Sequence, residues 1–209
     1  MQYTLHSYWR SSCSWRVRWA LELKGLPYEI LPVNLLKDEQ SSESYLALNP
    51  NGRLPTLAFE RQLLSGSIAI LEYLEEKHPS NPIFPANLLS KAKVRELVNI
   101  IACDTQPIQN LAVMKYYSDD LEKRKEYAQH WISRGLAAYE KAIEHTAGTY
   151  SLGGEVTAAD ICLIPQVYNA LRFEVDLSQF PLISKIWDHC MKLDSCIKAS
   201  PEHQIDAVK

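Results

Sequence analysis

The stretch of this chain richest in chemistry is SSCSWRVR, residues 11–18. Two hydroxyls, a thiol and a third hydroxyl stand where a helix begins. The first N–H groups of a helix have no partner within it, and the positive end of its dipole lies there. Such a place holds an anion or favours a thiolate, which makes Ser11, Ser12 and Cys13 candidates for either task. Ser11 and Ser12 read equally well as plain caps, and Cys13 as a small buried hydrophobe. Arg16 and Arg18 read as solvated charges on a mostly apolar helix. Leu54-Pro55 is a second signal, because a proline at a strand start cannot donate to the ladder and is a candidate cis bond. Ser67 opens another helix and is a third point where an anion could rest, or again a cap.

The elements that position these residues are legible from periodicity. Gln2 to Ser7 alternates as a strand, with Tyr3 and Leu5 on one face and Thr4 and His6 on the other. From Ser12 the pattern turns helical, with Val17, Ala20, Leu21 and Lys24 on one face, and Gly25-Leu26-Pro27 stops it. Tyr28 to Val33 reads as a second strand, so a parallel, right-handed βαβ unit is expected. A short helical segment from Glu39 to Leu48 follows. Residues 54–59 and 62–64 read as a hairpin across Glu60-Arg61, a turn without glycine or asparagine. Ser65-Gly66-Ser67 then opens a helix with Ile68, Leu71 and Leu74 on one face.

The proline-rich PSNPIFPAN, 79–87, breaks the chain, and beyond it the strand signal disappears. Helices are expected from Leu88 to about Ile108, from Ser118-Asp119-Asp120 onward with Ala128, Trp131, Ile132, Leu136, Tyr139 and Ile143 inward, and from Phe180-Pro181 through Leu193. Thr157-Ala-Ala-Asp160 is a capping box, and Val156 with Ile161 its hydrophobic staple. The reading is an α/β domain over 1–80 and an all-helical domain over 87–209.

Composition narrows the function classes. Apolar content of 46% and charged content of 22% suit a globular protein. A formal charge of −3 without a basic run argues against a nucleic-acid surface or a polybasic membrane patch. MQYTLHSYWRSS lacks the apolar core of a signal peptide, and no run is long enough to span a bilayer. Five scattered cysteines without a CxxC point to a reducing cytoplasm, not to a disulfide framework, and no spacing suggests a metal site.

SSCSWRVR, ALNPNGRLPTL, the serine before IAILEYLEE, IACDTQPIQNL, VTAADICLIPQVYNALRF and the terminal SPEHQIDA together resemble the zeta class of glutathione transferases. The best-known activity of that class is maleylacetoacetate isomerase, in tyrosine and phenylalanine catabolism. The resemblance implies a thioredoxin-like first domain that binds glutathione, a helical second domain on the substrate side, and a homodimer. It implies that Ser11, Ser12 and Cys13 lie beside the glutathione sulfur. Gln40, Leu54 through its backbone next to a cis-Pro55, and Ser67 would line the peptide, with Gln106 and Asn110 from the first long helix. Arg172, with Arg10, would pair with carboxylates of a small dicarboxylate or other electrophilic substrate. Asp160 would be a buried capping residue with a folding role. One departure is plain: the family carries Gln or Glu immediately before the serine, and this chain has Gly66. That removes a hydrogen bond to the γ-glutamyl end, about 1.5–3 kcal/mol if nothing replaces it.

The competing readings are a broader transferase acting on α-halo acids or other small electrophiles, a thiol-disulfide reductase with Cys13 as nucleophile, and a non-enzymatic scaffold. The absent CxxC argues against the reductase, and the intact hydroxyl and thiol motif against the scaffold.

Overall fold

The computed structural model describes residues 2–208 of the 209. They form two compact units, 2–82 with 193–208, and Ile83–Lys192. The first holds β1 (Tyr3–Ser7), α1 (Ser12–Leu23), β2 (Tyr28–Pro32), α2 (Glu43–Leu46), β3 (Thr56–Phe59), β4 (Gln62–Ser65) and α3 (Ser67–Lys77). The strands make one mixed sheet in the order β2-β1-β3-β4. β1 and β2 run parallel from Tyr3 opposite Tyr28, and β1 and β3 antiparallel with Leu5 opposite Leu57. The alternation in β1 is as the sequence predicts: Tyr3, Leu5 and Ser7 are buried, Thr4 and His6 half-buried.

Local chemistry explains where these elements end. At the end of α1, the Gly25 N–H donates to the Glu22 carbonyl and the Leu26 N–H to that of Leu21. That double closure needs the left-handed conformation that Gly25 adopts, φ +64°. Glu60 and Arg61 join β3 to β4 with φ of +45° and +64°. Two positive φ values give the turn a twist that matches the flanking strands, so the hairpin forms even without glycine. The expected helix from Glu39 to Leu48 is broken into short turns and α2. Ser42 interrupts it, because its hydroxyl accepts the Tyr45 N–H and starts a new helical turn. On α3 the buried apolar residues are Ile70, Leu71 and Leu74, with Ile70 taking the place expected for Ile68.

The second unit contains α4 (Leu88–Ala102), α5 (Leu111–Tyr117), α6 (Leu121–Ile143), α7 (Ala158–Arg172) and α8 (Pro181–Cys190). Its core is built from Val94, Leu97 and Ile101 of α4, Ile132, Leu136 and Tyr139 of α6, and nearly the whole of α7. Trp131 is half-buried with the Arg134 guanidinium over its ring, and Gly135 is buried instead. The first helix stops at Ala102, six residues before the expected end. Pro107 lacks an N–H and its ring collides with a helical carbonyl four residues back. The Thr105 hydroxyl donates to the Ile100 carbonyl at 2.6 Å as the helix closes. α8 stops at Cys190 rather than Leu193, whose extended backbone caps the next helix. α8 opens on Phe180-Pro181 without a side-chain cap of its own, and Glu140 of α6 accepts the Leu182 and Ile183 N–H groups.

Gly135 of α6 lies directly against Thr105 in the chain after α4. A Cβ there would lie 2.0 Å from Thr105 Oγ1 and 2.5 Å from its Cγ2. Gly135→Ala should therefore cost about 1–3 kcal/mol or more in urea unfolding, the scale of overpacking a core. Adding Thr105→Gly should make the pair cost less than the sum of the two single changes.

The last helix, α9 (Asp194–Ala199), returns to the first unit and packs on α1. The first unit ends at Pro82, within the proline-rich break, and 193–208 lies with the α/β unit and not with the helical one. The cause is polar. Arg18 is fully buried and donates to the carbonyls of Ala199, Tyr8 and Trp9 and to Ser7 Oγ. Burial lowers its pKa to about 10, while Tyr28 and Asp206 hold it up. Trp19 Nε1 donates to Ser195 Oγ, and the Trp9 N–H to Asp206 Oδ2.

Candidate active site

Two helix starts in the first unit carry the candidate residues. Ser11 caps α1: its backbone is extended and its Oγ accepts the Ser14 N–H at 3.2 Å. Accepting that bond leaves its hydroxyl proton free to donate, so capping and donation are compatible in one residue. Ser12 is the buried first residue of α1, and Cys13 is half-buried one position later. Arg10 just before them is half-buried, its guanidinium 5.3 Å from the centre of the Trp9 ring.

The second helix start is α3. Its cap is Gly66, φ +90°, which offers no side chain, and Ser67 behind it is buried. The Gly66 N–H donates to the Pro55 carbonyl at 3.3 Å, tying the lead-in of β3 to the start of α3. The Leu54–Pro55 bond is cis, as expected from the sequence. Neither the amide nor the carbonyl of Leu54 has a hydrogen-bond partner among the described residues. Gln40 sits in a short turn with its amide nitrogen on Asp38, while its buried Oε1 has no partner.

Arg16 joins the two helix starts. The expectation of a solvated charge is wrong for it as for Arg18, because α1 is covered on more than one side and Arg16 is only 1% exposed. Its Nη1 donates to Ser67 Oγ at 3.2 Å and to Cys13 Sγ at 3.6 Å. Its Nε and Nη2 are buried without partners. Sequence reasoning missed this residue as a site member. The available signal was an arginine inside the otherwise buried run Trp15 to Leu21.

In the helical unit the remaining candidates are separated along the chain. Gln106 follows α4, with its N–H on the Ile101 carbonyl, and is not on the long helix as expected. Asn110 caps α5, its Oδ1 accepting the Ala112 N–H. Arg172 is exposed in the last turn of α7, donating to Asn169 Oδ1 with its guanidinium over the Phe173 ring.

Comparison with known proteins places this arrangement. Residues 10–77 match the model of the glutathione S-transferase N-terminal domain, and 106–200 that of the C-terminal domain. A probable maleylacetoacetate isomerase 2 of Drosophila melanogaster is 46% identical over 99% of this chain and 91% of its own. The holo structure of a bacterial maleyl pyruvate isomerase, a zeta-class transferase, superposes with a TM-score of 0.95 at 40% identity, covering 98% of this chain and 100% of its own. A maleylacetoacetate isomerase of Anaeromyxobacter dehalogenans with GSH bound in its active site gives 0.91 at 41% identity, covering 99% and 98%. The chain belongs to the glutathione S-transferase family and, within it, to the zeta class that includes the maleylacetoacetate isomerases.

Proposed function

We propose that this protein is a glutathione-dependent cis–trans isomerase of maleylacetoacetate. The observation that carries the reading is Cys13 and Ser67 at two helix starts bridged by one buried arginine, with Ser11 as the cap of the first. The residues present fit glutathione, a peptide with one thiol and two carboxylates. The open backbone edge of Leu54 suits a peptide amide, the start of α3 at Ser67 suits the γ-glutamyl carboxylate, and Gln40 Oε1 is an uncommitted acceptor. When bound, glutathione supplies a thiolate that adds reversibly to the cis alkene, so that the former double bond rotates before the thiolate leaves.

The protein's task is to favour that thiolate and hold the substrate. A free thiol with a pKa about 8.5 is only a few per cent ionised at neutral pH. Moving it to about 6.5 takes roughly 2.7 kcal/mol. The start of α1 contributes at most about 2 kcal/mol, so a hydroxyl donor is required, and Ser11 has its proton free. Ser12 and Cys13 assist in this reading. Gln106 and Asn110 contribute further to glutathione, and Arg172 with Arg10 to substrate carboxylates. A cytoplasmic setting is supported by five free thiols. A homodimer is supported by Leu88 and Leu89, each 79% exposed at the start of α4. Relatives named maleylacetoacetate isomerase support that substrate, and a place in tyrosine and phenylalanine breakdown is part of the same reading.

Calorimetric titration tests the binding step. Glutathione should bind, and Ser67→Ala should weaken it by about 1.5–3 kcal/mol, the value of a hydrogen bond to a charged group. Wild-type protein that takes up no glutathione at millimolar concentration would end the enzyme reading in favour of a scaffold.

A further inference from the structure

A buried charge without a counter-charge is costly, and a folded protein retains one where something else compensates it. Arg16 is such a charge: among the described residues its guanidinium meets one hydroxyl and one thiol and no carboxylate. Its Nη1 donates to Ser67 Oγ, which fills an acceptor site on that oxygen and leaves the Ser67 proton to be given to something else. Ser67 is the first residue of the eleven-residue α3, where unpaired N–H groups and the dipole already favour an anion. At the position before it, Gly66 offers no side chain to such an anion. The same Nη1 also contacts Cys13 Sγ, which links the guanidinium to the start of α1.

We propose that Arg16 is a positioning residue for the α-carboxylate of glutathione's γ-glutamyl end. It acts through Ser67, fixing the direction of that hydroxyl, and it places a buried positive charge beneath the start of α3. The inference rests on the glutathione reading and adds a residue to it.

The test uses two ligands, glutathione and 4-aminobutyryl-cysteinyl-glycine, which differs only in lacking that carboxylate. Titrations would be run on wild-type protein, Arg16→Met and Arg16→Lys, with circular dichroism to confirm folding. Arg16→Met should weaken glutathione about tenfold or more, as expected for a contact to a charged group, and leave the analogue's affinity unchanged. Arg16→Lys should restore part of the loss, because it keeps the charge without the planar guanidinium whose Nη1 reaches both Ser67 and Cys13. If Arg16→Met does not fold, Arg16→Lys against wild type decides, with a severalfold loss confined to glutathione. An equal loss for both ligands, or no loss, overturns the role of Arg16 while leaving the glutathione reading intact. Failure of the wild-type protein to bind glutathione overturns both.

Discussion

Ser11→Ala is expected to lower turnover of maleylacetone about a hundredfold or more, and Cys13→Ala to keep substantial turnover. The first number corresponds to losing roughly 2.7 kcal/mol of combined stabilisation of the thiolate and of the transition state it forms, at 1.36 kcal/mol per tenfold. The Ser11 hydroxyl is the donor with its proton free at the start of α1, since its oxygen already accepts the Ser14 N–H. That second role must be separated from the first. Losing the cap to alanine costs about 0.5–2 kcal/mol of stability, but losing it to glycine only a few tenths. Ser11→Gly should therefore fall in turnover as far as Ser11→Ala while unfolding close to wild type in urea. Cys13 shares Arg16 with Ser67 and has no second cysteine with which to cycle. If Cys13→Ala is inactive while Ser11→Ala still turns over, the cysteine is the nucleophile and the assignment is reversed.

Asp160→Ala should be among the most destabilising single changes in the helical unit, by several kcal/mol, with little effect on turnover per folded molecule for the milder Asp160→Asn. The carboxylate is fully buried and accepts three donors. Oδ1 takes the Ser151 N–H at 2.8 Å, and Oδ2 takes the Thr157 N–H at 2.8 Å and its hydroxyl at 3.1 Å. Burial pushes the Asp160 carboxyl above its ordinary pKa, and the donors from Ser151 and Thr157 pull it back down. Alanine leaves all three donors in a place water does not reach, at about 1–3 kcal/mol for each. Against a typical total stability of about 5–15 kcal/mol, such a loss empties much of the folded population. Urea unfolding of Asp160→Ala within 1 kcal/mol of wild type, on the error scale of such measurements, would show that the carboxylate is not the anchor of α7.

The Asp160 box illustrates what the sequence by itself determined. A cap, its reciprocal acid and the following apolar run lie within one helical turn, so spacing alone specifies them. The same holds for the alternation of β1, the Gly25 stop and the loss of strand character beyond the proline-rich break. The SSC helix start was legible for that reason, and so was the cis-proline beside Leu54, through family resemblance. The hairpin across Glu60-Arg61 was less so, because positive φ there comes from strand pairing on both sides and not from the residue types.

Only the tertiary structure decided the fate of the arginines. Periodicity shows which face of α1 is apolar, but not that another element covers its remaining side. Arg18 is buried because Ala199, 181 positions later, brings a carbonyl to it. Arg16 is buried because Ser67, 51 positions later, does the same with a hydroxyl. Sequence distance carries no record of such partners, and a charged residue's default is water, so both were read as solvated. The end of the chain was misplaced for the same reason: a short helix after α8 looks like more of the bundle until the polar groups of α1 that it satisfies come into view.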